Sequence, residues 1–217
     1  MKNTWIKELV LIIITILPIV YVLLVWDALP ETIATHFDFE GNANGFTKKS
    51  HIVWLISGVM IFSYVLMKYL PKIDPKNKIE NMGKKYFKIK LLLISLLSSV
   101  FSFVIYIAIN ENANSKIFIL ILGSFLIVMG NFMQTIKPNY FLGMRTPWTL
   151  QSEVVWKKTH KIAGKIMIIA GLIFAISFFV TSGRKLEIII ILSLILTIVI
   201  PFVYSYVIFK KLESENI

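Results

Sequence analysis

The sequence predicts an all-α fold: a six-helix transmembrane bundle, N-in and C-in, with one ordered extracellular loop and a short cytoplasmic interfacial helix. Three observations carry this. Hydrophobic residues make up 57% of the 217 residues and charged residues only 16%, against roughly 45–50% and 25% in soluble domains, and the mean hydropathy is +0.76. The apolar residues gather into six long runs. The positive charge gathers in alternate connections between those runs, which with the termini carry 18 of the 23 Lys and Arg.

A membrane-crossing helix needs about 20 mostly apolar residues. The runs Leu9–Trp26, Ile52–Leu70, Leu91–Ile109, Ile117–Ile136, Ile162–Val180 and Ile188–Phe209 meet that requirement, and all six lack Asp and Glu. Lys68 and Lys165 lie near run ends, where a lysine can snorkel to the interface. Pro18 and Pro201 fall inside the first and last runs, where lipid-embedded helices tolerate proline, usually as a kink. The first run reads as a retained helix and not as a secretory signal. Its apolar stretch is long, Pro18 interrupts it, and no small-residue cleavage site follows before Trp26-Asp27.

Lys and Arg set the orientation, because cytoplasmic connections retain them. A cytoplasmic N-terminus leaves only Lys48, Lys49, Lys116, Arg184 and Lys185 outside. The net charge of +11 is then mainly topological. No segment is large enough to be a basic domain, so no direct nucleic-acid partner is expected. The inner connection 71–90 reads as a solvated basic linker, or as a clamp for anionic membrane lipids. The chain divides into residues 1–70, the first two spans with the outer loop 27–51, and residues 71–217, four further spans with the inner loop 137–161.

The sequence contains no cysteine, which excludes disulfides, thiolate nucleophiles and cysteine metal sites. There is no H-E-x-x-H, phosphate loop or pair of intramembrane carboxylates. The reading is non-enzymatic, with no catalytic residue, no metal ligand and no cofactor assigned.

The outer loop reads LPETIATHFDFEGNANGFTKKSH. Ile33, Thr35, Phe37 and Phe39 alternate with Thr32, Ala34, His36 and Asp38, a weak strand period. Glu40-Gly41-Asn42 and Asn44-Gly45 are turn signals. The expectation is a short extended piece and a turn against the membrane surface. His36, Asp38 and Glu40 are spaced by two and share one face of a strand. They could hold a cation or hydrogen-bond within the loop. A cationic peptide arriving from outside would meet them first.

Residues 130–164 read GNFMQTIKPNYFLGMRTPWTLQSEVVWKKTHKIAG. Pro138 ends the fourth helix, and Thr149 or Ser152 caps a new one. Lys157, Lys161 and Lys165 form a basic stripe opposite Val155, Ile162 and Ile166, as in an interfacial helix running into the fifth span. Trp148 and Trp156 suit the headgroup level, and His160 reads as a surface side chain. Asn131 and Gln134 are polar positions within the fourth span, where interhelical hydrogen bonding is the expected role. Gly123 with Gly130, and Gly164 with Gly171, lie seven apart, so each pair marks a face on which the fourth and fifth helices could approach closely.

The pattern GN-x-MQ, then N-x3-G-x-RTPWTL, then E-x-VW, closely resembles the SdpI family of bacterial immunity proteins. The upstream stretch LPETIATHFDFEGNANGF resembles the extracellular element found with that family. The resemblance implies an integral protein of the bacterial cytoplasmic membrane that protects the cell against a secreted, membrane-active peptide toxin. It further implies a receptor role, in which a cytoplasmic transcriptional repressor is held at the membrane once toxin is present. Candidate contacts for toxin or partner are His36, Asp38 and Glu40 outside, and Asn139, Arg145, Thr146, Pro147, Trp148, Thr149 and Trp156 inside. Arg145 could instead anchor its loop through backbone carbonyls. A different function class, a small-molecule or ion transporter or channel, would use Asn131, Gln134 and the serine face Ser95, Ser98, Ser99 and Ser102.

Overall fold

A computed structural model of the chain describes residues 2–38, 42–75, 77–110 and 112–215. In chain order these form α1 (Lys2–Leu24), a hairpin of β1 (Thr32–Phe37) and β2 (Ala43–Lys48), α2 (Lys49–Ile73), α3 (Lys84–Ile109), α4 (Ile117–Met133), α5 (Pro147–Gln151), α6 (Glu153–Val180) and α7 (Gly183–Glu215). Five helices, α1, α2, α3, α6 and α7, are long and apolar enough to cross a membrane. Their outward faces stay apolar in the folded chain: Phe62, Ile198 and Val203 are 66%, 62% and 51% exposed. Such faces are stable in hydrocarbon and costly in water.

The fourth apolar run departs from expectation. The helix over it has 17 residues, about 26 Å at 1.5 Å per residue. It ends at Met133, and Thr135 and Ile136 turn away through N–H bonds to the carbonyls of Phe132 and Met133. Pro138 explains the early end, since a proline ring clashes with the carbonyl four residues back and disfavours helix just before it. The helix expected to run into the fifth span is present and is preceded by a separate short one. A five-residue α5 stops at Ser152, which accepts the Val155 N–H and starts a continuous 28-residue α6. Pro18 and Pro201 lie inside α1 and α7.

The hairpin shares one end of the molecule with the α3–α4 and α6–α7 connections: Phe37 stacks near Phe118 at 5.8 Å, and His36, Asp38 and Arg184 line one cavity. Its strands pair antiparallel from Thr32↔Lys48 to Phe37↔Ala43, with register shifts around His36. Asn44 and Gly45, read from sequence as a turn, lie within β2. A Cβ on Gly45 would sit 2.7 Å from His36 Cβ, so the glycine admits its cross-strand neighbour. Ile33 is fully buried and joins the core of α1, α2 and α3.

The opposite end is basic. Glu8 of α1 accepts from the Tyr64 hydroxyl of α2 at 2.7 Å and pairs with Lys90 of α3 at 3.3 Å and Lys68 at 3.6 Å. Three helices thus meet on one carboxylate just outside the apolar run. The connection after α2 is folded and is no simple solvated linker. Asp74 accepts the Ile79 N–H at 2.9 Å, and Ile79, Met82 and Tyr86 pack in one cluster with Ile136 and Trp156.

The tightest helix contact joins α4 to α6, which run antiparallel. Gly123 meets Gly171 and Gly130 meets Gly164, as their spacing of seven anticipates. A Cβ on Gly130 would lie 2.6 Å from the Gly164 carbonyl oxygen, and one on Gly123 3.0 Å from the Gly171 carbonyl oxygen. Small residues let backbones approach where lipid supplies no hydrophobic drive between helices. Gly164→Val should therefore destabilise the chain by about 1–3 kcal/mol or more, the usual overpacking range. Gly58→Ala should not, because a Cβ at Gly58 meets nothing within 4 Å. Thermal unfolding of the two variants in the same detergent checks the contrast.

Candidate functional site

Two constellations stand at opposite ends of the bundle. At the basic end, residues 137–152 form a loop whose polar side chains are largely spent on the loop itself. Asn139 is buried and uses its full capacity of two donors and two acceptor positions. Its amide donates to the carbonyls of Lys137 and Leu142 at 2.7 and 3.1 Å, and its oxygen accepts the N–H groups of Phe141 and Leu142 at 2.8 and 2.6 Å. Arg145 donates to the Tyr140 carbonyl and is otherwise exposed, which is the loop-anchoring role.

Thr146 caps α5 with Pro147 at the first helical position, the place where a missing N–H costs nothing. The Thr146 N–H donates to Thr149 Oγ1 at 2.8 Å, and the Thr149 N–H donates to Thr146 Oγ1 at 3.2 Å. This is a capping box with threonine in the usual place of glutamate. Thr146 Oγ1 also meets Ser205 Oγ of α7 at 3.2 Å. Trp148 packs against Phe202 and Tyr206, with ring centroids at 5.5 and 5.0 Å. The Arg-Thr-Pro-Trp turn is thereby docked on α7.

Trp156 does not face lipid headgroups. It is fully buried, and its indole N–H donates to the Ile136 carbonyl at 2.7 Å. That carbonyl lies just beyond the end of α4, where helical partners have run out. His160, expected at the surface, is also buried and stacks on Trp156 at 4.1 Å. Its Nε2 accepts the Met144 N–H at 3.0 Å. Nε2 is therefore unprotonated, and Nδ1 carries the proton it donates to the Trp156 carbonyl at 2.9 Å. Gly143 stands opposite at φ +100°, and a Cβ there would fall on the His160 ring. The spacing of Trp156 and His160, i and i+4 on one helix face, was the available signal for this pair.

Asn131 and Gln134 do not bridge helices. Both are exposed, and neither side chain makes a hydrogen bond recorded among the described residues. Gln134 lies one residue past α4, its stem beside Gly164. The glycine backbones perform the joining expected of the amides. On α3, Ser98 is buried, and the Ser102 hydroxyl is buried without a hydrogen-bond partner.

At the hairpin end, His36 and Asp38 do come together. They line an open basin of about 870 Å³ with Phe37, Asn44, Gly183, Arg184 and Glu187. Asp38 accepts the Asn42 N–H at 2.8 Å and so closes the hairpin tip. Glu40 lies outside the described residues. No group of three or more His, Asp or Glu that could hold a metal ion occurs among the described residues. Beside the basin a smaller cavity of about 190 Å³ is lined by Phe37, Phe118, Ile119, Leu122, Phe174 and Ile190, with Asp38, Ser115 and Lys116. Arg184 and Glu187 were missed in the sequence, where no motif surrounds them. The orientation reading, which puts the start of the last span on the hairpin's side, was the one clue.

Comparison with known proteins places this architecture. The SdpI/YfhL protein family matches residues 135–205, and a domain of unknown function, DUF1648, matches residues 13–61. The immunity protein SdpI of Bacillus subtilis (strain 168) is 32% identical over 213 residues, covering 97% of this chain and 99% of that protein. The chain belongs to the SdpI family. No solved structure matches it. With five helices of membrane-crossing length and composition, this SdpI-family chain is a multi-pass membrane protein of the bacterial cell membrane. The first family match spans the loop of residues 137–152, α5, α6 and most of α7; the second holds the hairpin.

Trp156→Phe keeps the ring but leaves the Ile136 carbonyl buried without its donor. The expected loss is about 1–3 kcal/mol, the cost of an unsatisfied buried polar group, with faster proteolysis within residues 137–152. Unfolding curves and limited digestion of the purified chain read both.

Proposed function

We propose that this chain is an immunity protein that protects its cell against a secreted, membrane-active peptide toxin, met at the hairpin end. The observation that carries the reading is likeness to an immunity protein along nearly the whole length of both chains. The open basin of His36, Asp38, Asn44, Arg184 and Glu187 supports it, since it offers both signs of charge to a peptide. In this reading α4 is a sixth and shortest span, both termini are cytoplasmic, and the hairpin is extracellular. Residues 1–70 and 71–217 act as an outer-loop unit and an inner-loop unit.

The inner loop is the surface for a cytoplasmic repressor. Its exposed side chains include Arg145, Pro147, Leu150 and Val154, while Asn139, Thr146, Thr149 and Trp156 hold its shape and Trp148 docks it on α7. Asn131 lies on an exposed face of α4, open to lipid or to toxin, and Gln134 stands exposed just past its end with its stem against Gly164.

Expression in a toxin-sensitive strain should raise survival, and equal killing with and without the chain would remove the immunity reading. Because the sequence lacks cysteine, single thiols report sidedness cleanly. In intact cells a membrane-impermeant maleimide should label N42C and spare R145C; labelling of both would overturn the topology. Arg145→Ala should reduce repressor recruitment to the membrane, read by fractionation of a tagged repressor.

A further inference from the structure

We propose that the smaller cavity at the hairpin end is a receptor pocket for one large apolar side chain, aromatic by preference, carried by a peptide whose backbone crosses the basin. The peptide's identity as a toxin rests on the immunity reading; the pocket does not. Protein interiors hold few voids larger than a water molecule, and this one has about 190 Å³. A dry apolar cavity of roughly 150 Å³ already accepts benzene, so a phenyl or indole group fits.

The lining matches that occupant. Phe37 and Phe118 supply partly exposed rings, Ile119, Leu122 and Ile190 complete the wall, and Phe174 lies beneath them. Phe118 already packs on Phe103 edge-on, with centroids 4.9 Å apart, and tilts toward Phe37. A further ring extends an edge-to-face cluster, the arrangement aromatic pairs prefer.

The rim selects a peptide over a lipid chain. Asp38, Ser115 and Lys116 stand on the cavity, and Phe37 and Asp38 belong also to the polar basin. An acyl chain would enter from hydrocarbon past apolar flanks. Here the neighbouring space carries Asp38 and Glu187 beside Arg184, both signs of charge within one basin. That suits a main chain with its alternating donors and acceptors, with one side chain turned down past Phe37.

The floor is rigid. Phe174 is fully buried, and a Cβ on Gly123 would stand 3.0 Å from Phe174 Cβ. Leu122 adjoins that glycine contact, so a larger residue there occupies the cavity and does not displace α6.

The test uses trifluoroacetyl-tryptophanamide and trifluoroacetyl-alaninamide as probes, with the full chain in lipid nanodiscs and fluorine NMR as the readout. The two probes share one reporter and differ in one side chain. The tryptophan probe should bind saturably and the alanine probe should not. Ile119→Phe and Leu122→Phe should each weaken the tryptophan probe roughly tenfold or more, the scale on which filled apolar pockets discriminate. The lipid-facing control Ile61→Phe should bind like the parent chain. Equal signals from the parent and both filled variants would mean partition into lipid and would overturn the pocket.

If the filled variants do not fold, S115C provides the second measurement as the sole thiol of the chain. The tryptophan probe should slow its maleimide labelling and the alanine probe should not; identical rates overturn the proposal. Survival assays separate the two readings. A chain that protects cells but fails these binding tests refutes the pocket alone. A chain that binds the tryptophan probe but does not protect refutes immunity alone.

Discussion

The close backbone contact between α4 and α6 is the constraint on which both ends of this molecule depend. Four glycines set it, in the order Gly123 with Gly171 and Gly130 with Gly164. Continuing the same antiparallel register toward the basic end brings the last carbonyls beyond α4 opposite the start of α6, where the Trp156 indole binds the Ile136 carbonyl. Followed the other way, the register brings Leu122 beside Phe174 under the hairpin. One pair of helices therefore supplies the floor of the cavity at the hairpin end and the seat of the loop at the basic end. In hydrocarbon, helices associate through packing and hydrogen bonds and not through apolar burial. A contact between backbones is the form of packing with the least side-chain entropy to lose.

An unbroken helix of 28 residues is about 42 Å long, enough to reach from the cavity at the hairpin end to the loop at the basic end. With glycine on glycine, α4 and α6 meet backbone to backbone at two levels. Phe174, beneath the cavity at the hairpin end, lies on the same helix as Trp156 and His160. The first three helices are tied to one another through Ile33, Ile56 and Ile94 in their core and through Glu8 at the basic end, and to the glycine-joined pair through the cluster of Met67, Tyr86, Ile136 and Trp156.

Much of the fold was legible because it rests on local quantities. Run length and composition locate α1, α2, α3, α6 and α7, and a spacing of seven picks out the glycine faces. The features that escaped are set by tertiary partners. Nothing local to Glu8 says that Tyr64, Lys68 and Lys90 converge on it; that needs the common depth of three helices. Trp156 and His160 look like membrane-edge residues until the loop of residues 137–152 folds back over them. Asn131 and Gln134 looked like interhelical ties, and the glycine contact made ties unnecessary. At the outer end His36 and Asp38 were visible as a pair on one strand. Arg184 and Glu187 reached the same basin from a helix 140 positions or more along the chain, which no short-range pattern encodes.

The unusual composition of the inner loop follows from its location. A chain segment at the face of a membrane bundle must satisfy its backbone groups internally wherever it is covered. Asn139 satisfies four of them and His160 one from across the loop; the Thr146–Thr149 box satisfies the start of α5. Pro147 removes a donor where helix geometry would leave one idle, and Gly143 takes the one backbone conformation that leaves room for the His160 ring. So specific a string of residues therefore does not imply that each touches a partner. The string first builds a folded platform, and Arg145 and Pro147 are among the side chains it leaves exposed. A substitution at Asn139, Thr149 or His160 acts on the platform and reaches any partner only through it, whereas one at Pro147 removes a displayed side chain together with the helix start beneath it.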